Sequence, residues 1–185
     1  MGNHFSVDWF SNNIPNIETR LNSTVNKAIE IGCYEGRSSC WFLQNEHFKN
    51  VEMYFIDIWE EDSLYNTFNN NINECKTEKQ NIHVIRNASD IALSDLLIEH
   101  KNSFDFIYVD GSHQPDQVYR DGCSSFQLLK SNGILLFDDY LIDYTNSPEY
   151  SYYGSPKDGV DQFLLENKNE LEVILFDYQV MIRKL

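Results

Sequence analysis

Apolar residues in this chain come in short runs, and four of the runs carry an acid at or near their end. They are Ala28-Ile29-Glu30-Ile31-Gly32, Met53-Tyr54-Phe55-Ile56-Asp57, Phe106-Ile107-Tyr108-Val109-Asp110, and Ile134-Leu135-Leu136-Phe137 ahead of Asp138-Asp139. Unbroken runs of this length read as strands buried on both faces of a parallel sheet. The pattern predicts strands at 27–32, 52–58, 82–86, 104–110 and 133–138, alternating with helices at about 36–45, 62–74, 89–101 and 115–131. Strict alternation implies an α/β domain with helices on both faces of the sheet. A helix at 158–167 then precedes Leu171–Phe176 and Gln179–Arg183, separated only by Asp177 and Tyr178, which is too short for a parallel crossover. Those two runs therefore predict an antiparallel hairpin and a total of seven strands.

Open α/β sheets bind ligands at the carboxyl ends of their strands, so the terminal acids should gather around one crevice. A length of 185 residues fits a single domain over 1–185, with 1–26 as a helical lid or packing segment in which His4, Phe5, Trp9 and Phe10 share a helix face. A net charge of -15 argues against nucleic acid or an anionic membrane as partner. Cys33, Cys40, Cys75 and Cys123 show no CxxC spacing, which predicts neither a zinc knuckle nor a redox pair and favours a reducing compartment. With no signal-like start and no run of membrane-spanning length, a soluble, cytoplasmic protein is expected.

Between the first strand and helix lies Glu30-Ile31-Gly32-Cys33-Tyr34-Glu35-Gly36-Arg37-Ser38. Gly32 permits a tight turn and Gly36 lets a ligand approach the helix start. The spacing is GxxxG, unlike the GxGxxG of dinucleotide folds or a Walker loop. Glu30 and Glu35 would repel a pyrophosphate but suit a ligand carrying ammonium and sulfonium charges. Asp57, 25 residues beyond Gly32, stands where a carboxylate accepts ribose hydroxyls in bidentate fashion. A plain strand-to-helix turn and a strand-end cap are the structural alternatives.

These segments, with Tyr108-Val109-Asp110-Gly111-Ser112-His113, Gly133-Ile134-Leu135-Leu136-Phe137-Asp138-Asp139-Tyr140 and Tyr178-Gln179-Val180-Met181-Ile182-Arg183, resemble the class I S-adenosylmethionine-dependent methyltransferases. Within them the chain is similar to the group of macrocin-type sugar O-methyltransferases and the cephalosporin hydroxylase. The resemblance implies a Rossmann-like, mostly parallel seven-stranded sheet with a C-terminal antiparallel hairpin. It implies S-adenosyl-L-methionine as cofactor, with Glu30 and Gly32 flanking the methionine part, Asp57 on the ribose, and Tyr34, Gly36 and Ser38 as further cofactor-binding candidates. Ala88 with Ser89 would border the adenine edge, and Ile58, Asp110 and His113 are further cofactor-binding candidates. Trp59 covers the adenine face or packs a helix, and Asn87-Ala88-Ser89-Asp90 equally reads as a helix cap.

Asp110 and the pair Asp138-Asp139 would meet at neighbouring strand ends, where carboxylates repel unless a proton or metal intervenes. Hard oxygen ligands with room for water suit Mg²⁺ or Mn²⁺, which would lower the pKa of an acceptor hydroxyl. The resemblance supports acidic ligands at these two strand ends. His113 is placed to take the hydroxyl proton as general base, with Asp110 beside it as the second catalytic candidate; a helix cap is the alternative for His113. Tyr140, Tyr144, Tyr150, Tyr152 and Tyr153 suit either a sugar or phenolic acceptor or a homo-oligomer contact. The leading expectation is a metal-assisted O-methyltransferase (EC 2.1.1.-) acting on a sugar, a glycan end or a similar small hydroxylated acceptor. A non-catalytic methyltransferase-fold partner protein and a metal-free phenolic or natural-product methyltransferase are the alternatives. An oxygenase role lacks a His-rich iron site, and a nicotinamide dehydrogenase lacks the glycine spacing.

Overall fold

The computed structural model describes residues 4–142, 144 and 154–185. A seven-stranded sheet is built from β1 (Lys27–Ile31), β2 (Glu52–Asp57), β3 (Asn81–Arg86), β4 (Phe104–Val109), β5 (Leu129–Phe137), β6 (Leu171–Phe176) and β7 (Val180–Lys184). The helices are α1 (Ile14–Glu18), α2 (Arg37–Gln44), α3 (Asp62–Cys75), α4 (Ser89–His100), α5 (Pro115–Leu128) and α6 (Pro156–Asn167). Strand order is β3-β2-β1-β4-β5-β7-β6, with β1 to β5 parallel and β7 antiparallel to both β5 and β6. The order reverses between β1 and β4, so the ligand crevice of such a sheet opens at the carboxyl ends of those two strands.

The runs are unbroken because each strand feeds two cores. Met53, Phe55, Phe106, Tyr108 and Leu136 pack on one side of the sheet with Phe42, Phe48 and Phe68. Their neighbours Tyr54, Ile56, Ile107, Val109 and Leu135 pack on the other with Leu93, Phe126 and Phe163. Period-2 alternation thus distributes apolar side chains to both layers.

Four expectations need correction. The helix expected over 115–131 stops at Leu128 and β5 begins at once at Leu129. Its first residues pair Leu129 with Phe104, and a register shift follows around Asn132, whose φ of 65° bends the strand. The last helix starts at Pro156, where a proline at the first position is preorganised for the turn. His4 to Phe10 form no helix, because side chains elsewhere hold that backbone: His4 N–H donates to Asn71 (2.9 Å) and Ser6 N–H to Glu35 (2.6 Å). Helical structure begins only with a 3₁₀ turn at Ser11–Asn13 and with α1.

The fourth concerns the cysteines. Cys40 on α2 and Cys75 at the end of α3 form a disulfide, whereas Cys33 and Cys123 are free thiols. The packing of α2 against α3 brings together residues 35 apart in sequence, so the scatter of cysteines was no guide to their pairing. It therefore gives no support to a reducing compartment. No helix of the described residues is long and apolar enough to cross a membrane.

Candidate active site

The turn after β1 is shaped by what lies beneath it. Gly32 has φ of 85°, and a Cβ there would fall 2.0 Å from the Asp110 carbonyl oxygen. The β1 and β4 ends touch backbone to backbone, so Gly32→Ala is expected to cost at least about 3 kcal/mol in a urea melt. Gly36, with φ of 86°, opens α2. Ser38 and Ser39 on the first turn of that helix donate their hydroxyls to Glu30, the Ser39 bond measuring 2.6 Å.

Glu30 is wholly buried, and burial pushes its pKa up to about 8, only partly countered by the two serine hydroxyls and reinforced by the Asp57 charge. It therefore lies under the loop as an internal brace. Asp57 is the hub above it. Its Oδ2 accepts the backbone N–H groups of Cys33 (2.8 Å) and Tyr34 (2.9 Å), and its Oδ1 accepts that of Trp59 (2.9 Å). A carboxylate has about four lone-pair sites, so these three bonds leave one, on Oδ1.

Tyr34 and Trp59 both adopt positive φ (49° and 34°), strain held by these bonds and by Trp59 Nε1–H donating to the Tyr34 carbonyl at 2.8 Å. Trp59 is fully buried against Phe68 and Tyr65, which is the packing role of its two readings. Ile58, next to Asp57 in sequence, is instead exposed (53 %), as is Ile91 on α4 (51 %). Ala88 caps α4 in extended geometry, one strand over from Asp57, whose carbonyl accepts the Asn87 N–H at 3.0 Å. Ser89 Oγ accepts from Gln117 on α5 at 3.1 Å.

The acids of β4 and β5 separate into two groups. Asp138 is buried on the Tyr108 side of the sheet; both its oxygens accept from the Asn13 amide at 3.2 Å, and the Tyr108 hydroxyl also donates to it. The same hydroxyl lies 3.1 Å from Asp110 Oδ2. Asp139, at φ of 57°, breaks the alternation and turns toward α5. Its Oδ2 meets His113 Nε2 at 2.8 Å, and its Oδ1 accepts the Tyr178 hydroxyl at 2.6 Å. Asp110, His113 and Asp139 thereby offer ligand atoms within 4.8 Å of one another, a group able to hold a metal ion. Tyr144 stacks edge-on against His113 at 5.5 Å, Tyr140 is buried against Phe176, and Tyr150, Tyr152 and Tyr153 lie outside the described residues.

Crowding sets the proton affinity of this cluster. Burial, then the charges of Asp138 and Asp139, hold the Asp110 carboxyl well above the usual range. Burial and Asp139 push Asp138 up to about 6 against the pull of the Tyr108 hydroxyl. Raised carboxyl pKa values mean that the folded state binds more protons than the unfolded chain, so stability is present below about pH 4 and is lost as pH rises through each folded value. The protein is therefore expected to be more stable near pH 5 than at pH 8. Glu30→Gln should recover roughly 2–4 kcal/mol of that loss at pH 8, measured by urea melts at both pH values.

The sequence reading missed Asn13, Tyr108 and Tyr178 as parts of the site. Tyr108 was within reach, since two residues before Asp110 on a strand means the same face. Asn13 contacts Asp138 across 125 residues, and no local pattern marks it.

A family model described as a methyltransferase domain matches residues 29–140, the segment that carries this crevice. An uncharacterized protein of Acanthamoeba polyphaga mimivirus is 32% identical over 124 residues, 65% of this chain and 54% of that protein. The chain thus spans about half the length of that curated relative. Among solved structures, the MycE methyltransferase of the mycinamycin biosynthetic pathway, in complex with Mg and SAH, superposes with a TM-score of 0.62 at 16% identity. That match covers 98% of this chain and 51% of MycE. A putative rRNA-methylase from Clostridium thermocellum superposes with a TM-score of 0.69 at 12% identity, covering 98% of both chains. These two likenesses concern the fold.

Proposed function

Because the chain belongs to this family of methyltransferase domains, we propose that it moves the methyl group of S-adenosylmethionine to a hydroxyl of a sugar or similar small acceptor, assisted by a divalent cation. The observation that carries this reading is the arrangement about Gly32. The Asp57 hub organises the loop on one side, and Asp110, His113 and Asp139 converge on the other.

The residues fit both groups. The remaining Asp57 lone pair suits a ribose hydroxyl, Gly32 and Gly36 leave the loop backbone open, and Ile58 with Ala88 and Ser89 borders a flat base. S-adenosylmethionine would supply an electrophilic methyl group there. Asp110 and Asp139 are hard, crowded oxygen donors suited to Mg²⁺ or Mn²⁺, which would lower the pKa of a bound acceptor hydroxyl. Asp138 supports them from behind through Tyr108. His113, aligned by Asp139, takes the acceptor's proton, a contribution of about 10²–10⁴-fold. Much of the remaining acceleration comes from holding acceptor oxygen and methyl in line. The net charge of -15 favours a small acceptor over a nucleic acid.

The test is transfer of labelled methyl from S-adenosylmethionine to a panel of sugars, glycosides and catechols, with Mn²⁺, Mg²⁺ or chelator. Metal-dependent labelling of a hydroxyl compound is the expected result, and labelling insensitive to chelator would remove the cation from the reading. With Nε2 donating its proton to Asp139, the single lone pair of a neutral His113 lies on Nδ1 and serves either as base or as ligand, so ¹⁴N hyperfine coupling in the EPR spectrum of bound Mn²⁺ separates the two roles. The account predicts no such coupling.

A further inference from the structure

The Cys40–Cys75 disulfide borders a cavity of about 530 Å³ that methyl transfer does not use. Its volume is that of a small-molecule site. Lys49 and Lys79, on its wall, come just before β2 and β3, so it opens at the amino ends of the strands, opposite the cofactor crevice. Cys75 lines the cavity and Cys40 does not. Gln44, exposed and also lining it, donates its Nε2–H to Cys75 Sγ at 3.8 Å, whereas Cys40 Sγ lies 3.5 Å from the buried Asn71's carbonyl oxygen. One sulfur of the bond faces the cavity and the other faces the interior.

Charge selects what enters. The chain carries -15 overall, yet around this opening two lysines oppose the single acid Glu78. Neither lysine is in an ion pair among the described residues. The bond itself bears on the crevice. Cys40 directly follows Ser38 and Ser39, which brace Glu30 from the first turn of α2. From α3, Asn71 Nδ2 donates to the Glu35 carbonyl at 2.8 Å, and a Cβ on Gly36 would meet Phe68 at 3.1 Å and Ile72 at 3.6 Å. Cys75 is one helical turn beyond Asn71, so the disulfide fastens both supports of the glycine loop to each other.

We propose that Cys75 is a thiol-exchange site for a small anionic thiol of the glutathione class, and that opening the disulfide weakens cofactor binding. The coupling rests on the reading of the β1 loop as the cofactor site; the exchange site does not. The entering thiolate bonds to Cys75 Sγ as the bond to Cys40 breaks and leaves its electron pair on Cys40. A second thiolate attacks the outer sulfur of the mixed disulfide, releasing Cys75. Two thiols become one disulfide, and their protons pass to Cys40 and Cys75.

The experiment follows reduction of the folded full chain at low salt by glutathione and by the neutral 2-mercaptoethanol, with thiol counting and mass spectrometry. Lys49→Gln combined with Lys79→Gln is expected to slow the glutathione reaction at least about fivefold and to leave the neutral thiol within about twofold. With oxidised glutathione, Cys40→Ser should gain an adduct at Cys75, while Cys75→Ser should gain none at Cys40. Calorimetric titration with S-adenosylhomocysteine before reduction, after reduction by a phosphine and after reoxidation should show affinity falling at least about fivefold and returning. Circular dichroism should show the reduced protein folded. A purely structural crosslink would lower the melting temperature and leave affinity unchanged. No slowing, equal slowing of both thiols, or an adduct at Cys40 in place of Cys75 overturns the exchange site. Unchanged affinity, or unfolding on reduction, overturns the coupling. Failure of the oxidised protein to bind S-adenosylhomocysteine overturns the cofactor reading and the coupling with it, while the lysine and adduct results still decide the exchange site.

Discussion

Asp57→Ala is expected to abolish measurable S-adenosylhomocysteine binding, a loss of at least about 100-fold, and to cost roughly 3 kcal/mol of stability. Three backbone N–H groups converge on that carboxylate, two from the glycine loop and one from Trp59. Removing it leaves strained residues at positions 34 and 59 without the bonds that hold them. The effect exceeds that of deleting a ribose contact, because the loop itself loses its shape. Asp57→Asn separates the two contributions: an amide can still accept through one oxygen, so about half the stability should return while cofactor affinity stays low. Urea melts and calorimetric titration of both variants check this.

Asp110→Asn should move stability and function in opposite directions. In the ion-free protein it removes one of three crowded carboxylates whose mutual repulsion holds Asp110 well above the usual range, so the melting temperature should rise by a few degrees. Affinity for Mn²⁺ should fall at least about 100-fold, and metal-dependent methyl transfer with it, since a neutral amide replaces a charged hard ligand. A structural acid would give the reverse on the first count. Thermal melts without metal and EPR titration with Mn²⁺ read the two effects separately.

The sheet was legible because burial on both faces leaves unbroken apolar runs, and the hairpin because two residues cannot bridge parallel strands. The position of β7 between β5 and β6 carries no local signature. The strand-end acids were legible as a set, while their directions were not. Asp138 follows the alternation of β5 into the side holding Tyr108 and Asn13, and Asp139 leaves it through a positive φ. Alternation alone would put these neighbours on opposite faces; what the chain pattern does not reveal is the turn that carries the Asp139 carboxylate to His113. Glu30 shows the converse: its charge suggested a cofactor ligand, but the serines that bury it come one helical turn later, and only packing reveals that they point back. Long-range partners such as Asn13 with Asp138, or Cys40 with Cys75, depend on which layers touch.

The central claim is that the crevice between β1 and β4 is a methyl-donor site next to a cation site. Calorimetric titration with S-adenosylhomocysteine, repeated with Mn²⁺ present, tests it most directly. The account predicts one site per chain, lost in Asp57→Ala, and a separate Mn²⁺ site lost in Asp110→Asn. Absence of S-adenosylhomocysteine binding to the folded wild-type protein, with or without Mn²⁺, would contradict it.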